Sequence, residues 1–104
     1  MTDPVAISKK FISELTSAGI PVSKAYLYGS YAKGNATSYS DIDICIVSPS
    51  FGKDLIDEMV KLRQISRRVD DRIEALPFGI DDINNPYDPL AAEIRRFGQP
   101  VISS

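Results

Sequence analysis

A chain of 104 residues with a formal charge of −2, no histidine and one cysteine can bury a single core and build one domain over 1–104, too small for a catalytic domain plus a separate acceptor-binding domain. The missing histidine excludes His-based zinc sites and Ser-His or Cys-His nucleophilic dyads, and mild acidity without a Lys/Arg-rich run argues against nucleic-acid binding. No apolar run approaches the roughly 20 residues of a membrane span, no signal-peptide pattern opens the chain, and the lone Cys45 suits a reducing compartment, so a cytoplasmic protein without a membrane partner is expected.

The first predicted element is a helix that starts with Asp3 as N-cap and Pro4 at its first position, carries Ile7, Phe11, Leu15 and Ala18 on one stripe, and stops at Gly19. Lys24 to Tyr28 reads as a strand with Ala25 and Leu27 on one face and Tyr26 and Tyr28 on the other. Ser30 to Lys33 is expected to form a turn or two of helix ended by Gly34, and Asn35 to Ser40 is a loop of turn formers.

Asp41 to Val47 is β-branched and apolar after its first acid, so a second strand is predicted, and Ser48 to Gly52 breaks it. Asp54 to Ser66 has helical spacing, with Leu55, Met59 and Leu62 expected inward, Ile56 and Val60 beside them, and Lys61, Arg63, Arg67 and Arg68 on a solvated face. Arg72 to Leu76 is predicted as a third strand ended by Pro77 and Gly79, with Glu74 at its centre. Asp81 to Asp88 reads as an acidic loop, Pro89 to Phe97 as a last helix with Leu90, Ile94 and Phe97 inward, and Val101-Ile102 as a small edge strand.

Two stretches carry chemistry. Leu27-Tyr28-Gly29-Ser30 reads as a strand running into a Gly-Ser turn and the start of a helix, which presents backbone N–H groups to an anion and makes a phosphate seat. In Asp41-Ile42-Asp43 the strand alternation puts both carboxylates on one face, roughly 6.5 Å apart, while Ile42, Ile44 and Ile46 face the other way. Two acids that close repel each other, and divalent cations lying between them and a phosphate relieve that repulsion. A P-loop does not fit, because Asn35-Ala36 follow Gly34 where Lys and a hydroxyl residue belong. A dehalogenase-type Asp-x-Asp does not fit either, since its acids follow a hydrophobic strand and these precede one.

Gly29-Ser30, Gly34 and Ser40-Asp41-Ile42-Asp43 resemble the G-S-x(10)-D-x-D signature of the polymerase-β-like nucleotidyltransferases, and the short chain is similar to their minimal nucleotidyltransferase (MNT) domains. The resemblance implies an α/β (α+β) nucleotidyltransferase fold, a small mixed β-sheet with helices packed against it. It implies ATP as substrate and a two-metal Mg²⁺ site held by Asp41, Asp43 and a third carboxylate, for which Glu74 is the choice and Asp70 and Asp71 the fallbacks. Gly29, Ser30 and Lys33 would hold the triphosphate. The family further implies a partner HEPN-domain toxin, with AMP transferred to one of its tyrosines and this chain acting as antitoxin. The alternative is a catalytically silent module of the same fold that works by docking on that partner, and a homo-oligomer is left open.

Overall fold

The computed structural model describes residues 3–29, 34 and 40–101. Helix α1 is Pro4–Ser17: the Asp3 carboxylate accepts the Val5 N–H at 3.0 Å, Pro4 gives up an N–H that no helix start can use, and Gly19 at φ +87° turns the chain away. Strand β1 (Lys24–Tyr28) follows, then β2 (Ile42–Val47), helix α2 (Leu55–Ser66), strand β3 (Ile73–Phe78), the single turn α3 (Ile80–Ile83), helix α4 (Pro89–Phe97) and the two-residue strand β4 (Gln99–Pro100). The four strands form one sheet in the order β3-β2-β1-β4, with β1 antiparallel to β2 and β4 and with β2 parallel to β3. A parallel neighbour needs a crossover, and α2 supplies it.

Alternation splits the sheet into two buried faces. Ala25, Leu27, Ile42, Ile44, Ile46 and Ile73 meet Phe11, Ile12 and Leu15 of α1 and Leu62 and Ile65 of α2. On the other face Cys45, Val47 and Phe78 meet Ile83, Ala91 and Ile94, with Tyr26, Tyr28, Leu76 and Leu90 at the margin. Burying each large aliphatic side chain contributes about 1.5–3 kcal/mol, so the sheet is held from both sides.

Five expectations are corrected. In α2 only Leu62 of the expected inward set is buried; Leu55, Ile56, Met59 and Val60 are exposed, and Glu58 is buried in their place. Its carboxylate accepts the N–H groups of Gly52, Lys53 and Asp54 at 2.9, 3.1 and 2.9 Å, which ties down the loop before the helix and sets which face of α2 turns inward. Strand β3 does not stop at Pro77 but continues to Phe78, because among the described residues β3 is an edge strand that pairs with β2 alone, where a proline takes no ladder bond away. The acidic stretch after Gly79 is partly helical, as α3, with the Asp82 carboxylate accepting the Gly79 N–H at 3.0 Å. Phe97 is exposed, with the Arg96 guanidinium 5.1 Å over its ring, and the last strand falls at Gln99–Pro100, while Val101 is buried and donates its N–H to Ala25 O at 2.9 Å. Ser30 to Lys33 and Ile102 lie outside the described residues.

Candidate functional site

The register of the sheet assembles the site. Asp43 pairs with Glu74 across the parallel β2-β3 ladder and with Tyr28 across the antiparallel β1-β2 ladder, so the three side chains share one face. Neighbouring strands run about 4.8 Å apart, which brings the Asp43 and Glu74 carboxyl groups within reach of a common ligand. The Ile42 N–H donates to Arg72 O at 2.8 Å, which locks the starts of β2 and β3 together. Asp41 sits exposed one residue before β2.

The electrostatics follow from that proximity. Burial first, and then the charges of Asp41 and Glu74, push the Asp43 carboxyl above the usual carboxylate range, so three acids feel one another here. Burial also raises the Tyr28 phenol, with Asp43, Cys45, Glu74 and Glu93 adding to it. The Cys45 thiol, on the same face but deeper, is pushed up to about 12 by burial and is inert as a nucleophile.

Gly29 follows β1 at φ +68°, a left-handed conformation that favours glycine, and a Cβ there would collide with Asp43 Oδ2. Gly29 therefore lies directly against the second acid. Of the six predicted site residues the structure brings Gly29, Asp43 and Glu74 together with Asp41 beside them, and Ser30 and Lys33 lie outside the described residues. Asp70 is committed elsewhere: it accepts from the Arg72 backbone N–H at 2.9 Å and pairs with its guanidinium at 3.1 Å, which holds its carboxyl below the usual range. Asp71 is exposed.

Among the described residues no group of three or more His, Cys, Asp or Glu side chains is placed so that it could hold a metal ion by itself. The donors that Asp43 and Glu74 offer on this open face are carboxylate oxygens, the hard ligands that suit a hard cation such as magnesium. Sequence reasoning missed Glu93 of α4, whose charge reaches Tyr28 and so lies at the margin of the acids. Nothing local could have found it, because an acid one position off the buried Ala91-Ile94 stripe reads as a solvated helix residue.

A family model described as nucleotidyltransferase domain matches residues 7–96. A nucleotidyltransferase structure from Sulfolobus solfataricus at 22% identity superposes with a TM-score of 0.62, covering 81% of this chain and 74% of that one. A toxin-antitoxin structure with AMP-PNP, also at 22% identity, superposes at 0.64 over 92% of this chain and 73% of that one. The MntA-HpeT toxin-antitoxin carrying two aspartate-to-glutamate changes gives 0.64 at 20% identity, over 91% and 72%. A search of curated proteins returned no match. At these identities the solved structures speak for a shared fold, and no helix among the described residues is long and apolar enough to cross a membrane. The match over 7–96, on a fold that sets two acids in register beside a glycine turn, makes this chain a member of the nucleotidyltransferase domain family.

Proposed function

We propose that this protein transfers AMP from ATP to a tyrosine hydroxyl of a partner HEPN-domain toxin and so acts as its antitoxin. The observation that carries the reading is the register pair Asp43-Glu74, with Asp41 two residues upstream of Asp43 and Gly29 packed against its carboxylate. Support comes also from the fold neighbours. One is a toxin-antitoxin with AMP-PNP, and another carries acidic substitutions two positions apart, the spacing of Asp41 and Asp43.

In the reaction the acceptor oxygen attacks the α-phosphorus, the bond from that phosphorus to the bridging oxygen breaks, and pyrophosphate leaves. Asp41, Asp43 and Glu74 would hold magnesium, which when bound supplies charge neutralisation to the triphosphate and lowers the barrier to attack. Gly29, with Ser30 and Lys33, seats the triphosphate: the bare backbone lets the phosphates approach Asp43 closely, and the turn supplies N–H donors. Glu74, on the longest acidic side chain of the three, orients the hydroxyl and takes its proton. Glu93 and Tyr28 border this ground and keep it acidic and half-buried.

The test is transfer of label from ATP labelled at the α-phosphate to the co-expressed partner. Asp43→Asn removes a metal-holding oxygen without changing shape, so labelling falls to background while the melting temperature holds. A variant that no longer labels but still neutralises the toxin would move the function to docking alone. Undiminished labelling would sink the metal assignment.

A further inference from the structure

We propose that two copies of this chain pair through α2, antiparallel and about a two-fold axis that passes near Met59 and Val60. Nothing in this pairing depends on the transfer chemistry. Leu55, Ile56, Met59 and Val60 are 58%, 76%, 40% and 48% exposed, an unusual concentration of large apolar side chains on one surface helix. Ile56, Met59, Val60 and Arg63 fall at i, i+3, i+4 and i+7, so they form a single stripe, with Leu55 beside Met59 and Arg67 one turn further on. The buried Glu58 explains why the stripe faces out: three backbone N–H bonds hold that carboxylate inward and rotate the apolar residues away.

The charges along α2 say what covers it. At the N-terminal end, Leu55 shares a concavity of about 430 Å³ with Asp82 and Asp88, against one lysine, Lys53. Glu58 also lines that concavity; its carboxylate is bonded to the loop, as the Asp82 carboxylate is to the Gly79 N–H and the Asp88 carboxylate to the N–H groups of Leu90 and Ala91. At the other end the stripe runs into the exposed Arg63 and Arg67. The surface is therefore ordered acidic, apolar, basic along about 18 Å of helix. A two-fold axis across its middle lays the arginines of one copy over the acidic concavity of the other, buries apolar against apolar, and sets the two helix dipoles head to tail. An isologous contact requires this kind of self-complementarity, whereas a heterologous partner does not. An anionic membrane surface would meet the carboxylates at one end. Four apolar side chains and the charges at either end are far fewer than the roughly 20–30 residues a side of a standard interface, so the dimer is expected to be weak, with a dissociation constant on the order of micromolar.

The test is sedimentation of the whole chain across a micromolar concentration series at low and moderate salt. The expected result is a concentration-dependent dimer that salt weakens. Ile56→Asp should raise the dissociation constant tenfold or more, as loss of a central apolar contact does. Should that variant misfold by circular dichroism, the double variant Arg63→Glu, Arg67→Glu, which alters exposed side chains outside both cores, should weaken the dimer and reduce its salt dependence. A chain that stays monomeric throughout the series, or a dimer indifferent to both variants, would overturn the pairing.

Discussion

Gly29 is the residue on which conformation and chemistry meet most closely. Its φ of +68° costs another residue about 1–3 kcal/mol, and the space a Cβ would need is already taken by Asp43 Oδ2. Gly29→Ala should therefore lower stability by at least about that amount, with the collision adding to it, and reduce transfer sharply, because Asp43 must move to make room. A double-mutant cycle separates the two costs. In an Asp43→Gly background the collision vanishes while the φ penalty remains, so urea melts should find Gly29→Ala less destabilising there than in the natural chain. Equal destabilisation in both backgrounds would mean that backbone strain alone keeps glycine at this position.

At the scale of the element, α2 is ruled by an acid. Burial alone would raise the Glu58 carboxyl, yet the backbone N–H groups of Asp54, Gly52 and Lys53, with the Lys53 charge, hold it below the usual glutamate range. A depressed folded value means the stabilisation is complete above the unfolded carboxylate's pKa, about 4.3, and is lost as pH falls through the folded value. Asp70, held down chiefly by its Arg72 side-chain bonds, adds to the same loss in the same direction. The melting temperature should drop below about pH 4, and Glu58→Gln should flatten that drop while costing about 1.5–3 kcal/mol at neutral pH, since an amide oxygen accepts more weakly than a carboxylate. Glu58 also marks where the sequence stopped being legible. Helical spacing located α2 within a residue, and the Asp3 cap and the spacing of Pro89 to Phe97 located α1 and α4. Hydrophobicity then assigned the wrong face of α2, because the deciding contacts are three backbone bonds from the preceding loop. Pro77 misled for a related reason: its tolerance depends on β3 being an edge, a property of the sheet and not of the strand. The acids were legible through period-2 alternation and the family signature together. Glu74 was legible as the acid at the centre of a strand-like run, whereas its exact register opposite Asp43 and the approach of Glu93 from α4 are long-range and left no local trace.

For the molecule as a whole, the acids are a standing cost that the proposed magnesium-nucleotide would remove. Three carboxylates share the start of the β2-β3 ladder, and their mutual repulsion already shows in the raised Asp43 carboxyl. ATP alone brings four more negative charges to that face and should bind poorly. Magnesium alone finds two or three carboxylates on an open surface, short of the octahedral set it prefers. Together they satisfy each other and the protein, so the two ligands should be strongly linked. At a concentration one hundredfold above the dissociation constant, linkage contributes about 2.7 kcal/mol, and for a domain near 100 residues each kcal/mol moves the melting temperature by about 4–8 °C. Calorimetric melts should therefore rise by about 10–20 °C with ATP and magnesium together, by far less with either alone, and should fall back on adding a chelator. Asp43→Asn should abolish the joint shift without lowering the melting temperature of the unliganded chain, because it removes one of the charges that repel. A shift of equal size with ATP alone would place the nucleotide away from these acids.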